Sequence, residues 1–280
     1  MMEKQRERGQ LALLLLPSTL WLGLFFLAPL GIILVISLVQ RGGPVAWQLD
    51  GSAYVRLLDP LHLKIFLRSL TLAVLTTFVC LLVGYPLAYY IAQRPPRLRH
   101  LLHFFVLLPL WANSLVLTYA WMVLLRPEGF FDSLLHALGF AEPISLLYTP
   151  TAVVIGLVYW YLPFMVYPLY GSIEKFDFTL IEAAHDLGAT RFQAFRKVLL
   201  PLTMPGVMAG SLLVFISALG TFVVPALLGG DKTLMWGNLI QQRFLSTPQD
   251  WPLGAALSLA MMLFMSVGIW FYFRVNRESA

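Results

Sequence analysis

Residues 10–40 contain no Asp, Glu, Lys or Arg, and long apolar runs recur to the end of the chain. Runs of 18 or more such residues are long enough, as helices, to cross about 30 Å of hydrocarbon. A β-barrel would show short alternating segments instead. The fold class is therefore an all-α integral membrane protein. Composition agrees: 59% of residues are hydrophobic and 12% are charged, about half the charge of a soluble domain.

Six transmembrane helices are expected, at about 12–39, 66–92, 101–125, 148–173, 205–228 and 252–273, in a single membrane domain over residues 1–280. The first apolar run is too long for a cleaved signal peptide. No small-residue cleavage site follows it before Gln40-Arg41, so it reads as an uncleaved anchor. The N-terminal tail, residues 93–100, residues 174–204 and the C-terminal tail hold 12 of the 19 Lys and Arg residues. They hold 7 of the 14 Asp and Glu residues, a net of +5. Cytoplasmic loops carry the basic excess, which places these segments and both termini in the cytoplasm. The pI near 9.4 then reflects topology, and no nucleic-acid partner is expected. The lone Cys80 has no partner for an intramolecular disulfide and is no metal site.

Pro163 and Pro168 lie inside the fourth expected span, where proline removes a backbone bond and kinks a helix. Gly206 and Gly210 open the fifth with small side chains four apart, a spacing that lets helices approach closely. That approach could be within the chain or against a partner. Residues 126–147 include Phe131, Leu134, Leu135 and Leu138 on one helical face, which predicts a short interfacial helix.

Residues 182–201 stand out because they are polar, helix-prone and lie between two spans. Ile181 to Leu187 is expected to form a short helix, broken at Gly188, which visits left-handed conformations readily. Thr190 can cap a second helix. On it Phe192, Phe195 and Leu199 recur on one face, with Arg191, Arg196 and Lys197 off it. Pro201 and Pro205 end it. The expected shape is an elbow, with a short arm free to dock and a long arm laid on the bundle.

The spacing Glu182-Ala183-Ala184, Gly188, Val198, Leu200-Pro201 resembles the EAA loop of ABC importer permeases, with Val198 where isoleucine is more usual. The resemblance implies a type I ABC importer (MetI-like) permease fold. It implies that 182–188, with His185 among them, is a coupling helix gripped by a cytoplasmic ATPase that uses ATP and Mg. This chain has no G-x-x-x-x-G-K-[ST] run for phosphate binding, so no cofactor of its own and no enzymatic activity are expected. Proton-coupled carriers usually hold ionisable groups inside their spans, and none is evident well inside these. That leaves an ion-coupled secondary carrier as the weaker alternative, since sodium sites can use backbone carbonyls.

Gly84-Tyr85-Pro86-Leu87-Ala88-Tyr89, Thr118-Tyr119-Ala120-Trp121, Tyr159-Trp160-Tyr161-Leu162-Pro163 and Trp251-Pro252-Leu253-Gly254 are similar to spermidine/putrescine permeases of the PotB/PotH type. That family implies a bacterial inner-membrane subunit within the lipid bilayer. Its partners would be a sister permease in a heterodimer, two ATPase subunits and an extracytoplasmic solute-binding protein. Two positions depart from the family. Leu117 stands where a basic residue is common, and Thr221 where Glu is common. Without that acid, another small organic solute stays open as cargo. Polar or amphipathic groups in apolar spans prefer the bundle interior, which nominates Asn113, Tyr119, Trp121, Tyr159, Tyr161 and Thr221 as path-lining residues. The interfacial belt is the other place such aromatics sit.

Overall fold

The computed structural model describes residues 2–41, 47–137 and 146–277. The chain divides into two compact units, Met1–Pro60 with Ile240–Phe264 and Leu61–Leu239 with Met265–Ala280.

In the first unit, α1 (Met2–Leu38) runs into a short antiparallel pair, β1 (Val39–Arg41) and β2 (Trp47–Leu49), with Val39 opposite Leu49. Among the described residues this pair departs from an otherwise helical structure. Asp50 then starts α2 (Ser52–Leu57), its carboxylate accepting from the Ser52 amide at 2.8 Å and the Ser52 hydroxyl at 2.7 Å. Ser37 Oγ and Tyr54 OH, 2.8 Å apart, tie α1 to α2. The apolar stretch of α1, Leu15–Leu38, keeps most of its large side chains on the surface.

The second unit begins with α3 (Pro60–Ala92), α4 (Pro96–Trp111), α5 (Ser114–Leu125) and α6 (Phe130–Ala137). The short helix expected within residues 126–147 is α6, although Leu138 lies outside the described residues. Next come α7 (Pro150–Ile173) and α8 (Thr179–Asp186), followed by α9 (Arg191–Ala194). A wide π-turn at Phe195–Leu199 leads from α9 into α10 (Leu200–Leu202) and α11 (Met204–Gly220). A second π-turn at Pro225–Gly229 precedes α12 (Trp236–Leu245) and α13 (Trp251–Arg277), which run across the division between units.

Among the described residues, four helical stretches are long and apolar enough to cross a membrane. They are Leu15–Leu38, Pro60–Ala92, Pro150–Ile173 and Trp251–Arg274. The number rises to six if each of two bent pairs makes one span. The expected third span is one such pair, bent by 94° between Trp111 and Ser114. Asn113 causes the restart, because its side chain accepts from the Leu115 amide at 2.8 Å and caps α5. The expected fifth span, 205–228, is likewise not one helix. It stops at Gly220, where Thr221 turns extended (φ −71, ψ 150).

The core of this unit is a three-helix junction. Met165 of α7 has no exposed surface. A Cβ added to Gly84 of α3 would lie 3.0 Å from Met165 Cγ, and one added to Gly210 of α11 would lie 2.9 Å from Met165 Sδ. A Cβ on Gly206 would meet the Pro168 carbonyl oxygen at 2.6 Å. The small-residue stripe of α11 therefore packs on α7 within the chain, where absent side chains allow backbone approach.

Candidate functional site

The elbow is built at residues 174–207. Arg99 fastens its base. One guanidinium nitrogen donates to Glu174 Oε1 at 2.8 Å and another to the Ala92 carbonyl at 2.9 Å. The end of α3, the start of α4 and the end of α7 are thus held by one side chain. Phe178, 6.1 Å from the Tyr89 ring and 5.4 Å from Phe176, adds an aromatic anchor.

Asp177 starts α8. Its Oδ1 accepts from the Thr179 amide at 3.0 Å and the Thr179 hydroxyl at 2.8 Å. These bonds favour the ionised carboxylate and hold Asp177 below the usual carboxylate range, against a small opposing effect of burial. The end of α8 is closed as tightly. Ala189 N donates to Ala184 O and Gly188 N to His185 O, both at 2.9 Å, with Gly188 at φ +83. This is a Schellman closure with glycine at its left-handed position. Thr190 opens α9 with a full capping box: Gln193 N donates to Thr190 Oγ1 at 3.3 Å, and Thr190 N to Gln193 Oε1 at 2.9 Å. His185 Nδ1, 2.9 Å from the Ala189 carbonyl, bridges the two arms.

Every expected coupling residue lies on this elbow. Glu182, Ala183, His185 and Gly188 are exposed on the short arm, with Ala184 half-buried. On the long arm Val198 and Leu200 are half-buried and Pro201 is exposed. The long arm packs through Phe195, whose ring meets the Tyr85 ring edge-on at 5.4 Å. Tyr85 OH and Thr203 Oγ1 are 2.9 Å apart, and Thr203 in turn donates to the Leu199 carbonyl at 2.8 Å.

The face expected from Phe192, Phe195 and Leu199 is corrected. Phe192 is 68% exposed, and the buried positions are Ala194 and Leu199, five residues apart. The π-turn sets that spacing, since its bonds run over five residues rather than four. No sequence pattern announced it. The capping box, by contrast, was legible as Thr190 followed by Gln193 three residues on. The Arg99–Glu174 bridge and the Tyr85–Thr203 bond join distant segments and left no local signal.

The expected path residues fall into separate places. Tyr161 is buried, its hydroxyl donating at 3.0 Å to the carbonyl of Ser217, one turn before Thr221. That bond sits near the break after α11. Trp121 and Tyr159 meet edge-on at 5.4 Å, with Phe131 stacked on Trp121. Tyr119 is 55% exposed and lies roughly 200° around α5 from Trp121. Asn113 spends its carbonyl oxygen on the α5 cap. The six are not brought together within this chain.

Residues 84–279 match the family described as binding-protein-dependent transport system inner membrane component. The chain is 44% identical over 262 residues to the spermidine/putrescine transport system permease protein PotB of Escherichia coli K12, covering 92% of this chain and 94% of that one. It is 44% identical over 260 residues to the PotB of Haemophilus influenzae, covering 92% and 91%. Among solved structures, a bacterial ABC transporter involved in the import of the acidic polysaccharide alginate matches with a TM-score of 0.75. The two are 17% identical, over 99% of this chain and 98% of that one.

Proposed function

The chain belongs to the family of binding-protein-dependent transport system inner membrane components, and on that premise we propose that it moves polyamines of the spermidine/putrescine class. It is a permease subunit of an ATP-driven importer in the bacterial inner membrane, not an enzyme. The observation that carries the polyamine reading is the likeness to PotB over nearly the whole of both chains.

In this reading the chain makes six spans, with both termini and the elbow in the cytoplasm. It forms half of a heterodimeric channel with a sister permease, above two ATPase subunits and below a soluble binding protein. The exposed short arm, Glu182, Ala183, Ala184, His185 and Gly188, enters a cleft of the ATPase. The long arm, through Val198, Leu200 and Pro201, carries the motion into α11. The closed Schellman turn and capping box support this role, because an arm that transmits force must not flex at its joint.

The path is assigned to Trp121 and Tyr159, whose ring faces suit an ammonium group, and to Thr221 and Tyr161 at the break after α11. Asn113 and Tyr119 border the α4–α5 break and face the sister subunit. This subunit offers hydroxyls and aromatic rings, and the carboxylate a polycation calls for is assigned to the sister.

The test is ATP-driven uptake in proteoliposomes holding both permeases, the ATPase and the binding protein. Saturable uptake of labelled spermidine or putrescine is expected. Uptake of another solute, with polyamines failing even to compete, would overturn the cargo while leaving the importer in place.

A further inference from the structure

A cleft of about 710 Å³ opens between α3 and the elbow. Its α3 wall is Leu81, Leu82, Tyr85, Pro86 and Tyr89, and its far wall includes Phe195, Leu199, Leu200 and Val207. Leu82 and Pro86 are exposed, so the cleft is open sideways from the bundle. Its chemistry changes with depth. Leu81 stands eleven residues before the end of α3 at Ala92, about 16 Å at 1.5 Å per residue. That end is apolar. The tyrosines come next: Phe195 stands at the level of Tyr85, and Arg191, one turn before it on the side of the elbow's joint, completes the lining with His185. Among the described residues Arg191 takes part in no ion pair.

An apolar floor, phenols midway and a cationic rim over half a membrane's thickness match a single-tailed reach from a phospholipid. They do not match the proposed cargo, since a polycation would be repelled by Arg191. We propose that this cleft is a binding site for an anionic phospholipid of the cytoplasmic leaflet, with one acyl chain along Leu81, Leu82 and Leu200 and its phosphate at Arg191. Basic pockets between helices on that face are suited to anionic headgroups. The lipid would pack directly against Phe195 and Ile181, so it would act as a wedge that sets the elbow against α3. Coupling of ATP hydrolysis to transport then depends on anionic lipid.

The orientation rests on the topology proposed above, so the test has one arm that is independent of transport. The purified four-component complex is mixed with phosphatidylglycerol or phosphatidylcholine and examined by native mass spectrometry. Retained phosphatidylglycerol is expected in the wild type. Leu82→Trp, which fills the floor, should abolish that retention, and Arg191→Gln should lower it about fivefold, the equivalent of about 1 kcal/mol for one charge near a membrane surface. The second arm measures ATPase activity in liposomes of each lipid, where the same variants should lose the stimulation by phosphatidylglycerol. Equal lipid retention in wild type and both variants would show only surface lipid and would overturn the site. So would a photo-crosslink from position 82 that captures the sister permease instead of lipid. Retention that follows the prediction without any lipid effect on ATPase activity would overturn the wedge.

Discussion

His185 Nδ1 lies 2.9 Å from the carbonyl oxygen of Ala189, so the imidazole spans the turn at Gly188. A carbonyl only accepts, so Nδ1 carries the proton and Nε2 is free. Asparagine can place an N–H where Nδ1 is, and glutamine places one nearer Nε2. His185→Asn should therefore keep ATP-driven uptake close to wild type. His185→Ala and His185→Gln should lower it by several-fold, in line with about 1 kcal/mol for a hydrogen bond. The reverse order, with Gln active and Asn not, would mean that His185 acts through Nε2 on a partner.

Gly188 has open space around it; a Cβ there would meet nothing within 4 Å. Its constraint is the backbone at φ +83, a region that costs other residues roughly 1–2 kcal/mol. Gly188→Val should abolish uptake while membrane insertion persists, and Gly188→Asn should retain much of it. Uptake assays beside membrane-fraction immunoblots decide this. Equal loss in both variants would point to crowding instead of backbone strain.

Met165 separates two kinds of close approach. Gly84→Ala would press on the flexible Met165 side chain, whereas Gly206→Ala would press on the Ser172 side chain and the Pro168 carbonyl, away from Met165. Each should lower the melting temperature in detergent, with overpacking costing about 1–3 kcal/mol. Adding Met165→Ala should relieve the first strain and not the second. A double-mutant cycle on thermal melting measures the coupling.

Asp177 gives the short arm a pH dependence. Its folded-state pKa is depressed below 3.8 by Thr179. Its contribution to holding α8 is therefore complete above the ordinary carboxylate value. It is lost as pH falls through the depressed one. Amide exchange at Thr179, corrected for intrinsic rates, should accelerate on acidification below that value. Asp177→Ala should show the faster exchange already at neutral pH.

The membrane class of this chain was legible because hydrocarbon demands long charge-free runs, and residues 101–125 or 148–173 can be read for little else. The elbow was legible because its parts are local. Gly188 and Thr190 are near-neighbours whose conformational preferences act within one turn. Phe192 was misplaced because the π-turn at Phe195–Leu199 follows from how the long arm meets Tyr85 and Thr203, which are far apart in sequence. Asn113 and Thr221 read from sequence as polar residues in apolar spans, but the structure uses both at helix breaks. For Asn113 the signal was present, since Asn before Ser114 is a strong cap. Gly206 and Gly210 announced close packing without naming the partner, and only the seating of Met165 identifies α7.

As the proposed grip of a cytoplasmic ATPase, residues 182–188 should be required for that subunit to stay bound. This is tested most directly by co-purifying the tagged chain from membranes in mild detergent, with and without those residues. The wild type should bring down an ATPase and a second permease. The deletion should lose the ATPase while it still inserts and keeps the second permease. Equal recovery of the ATPase with the deleted chain would contradict the account.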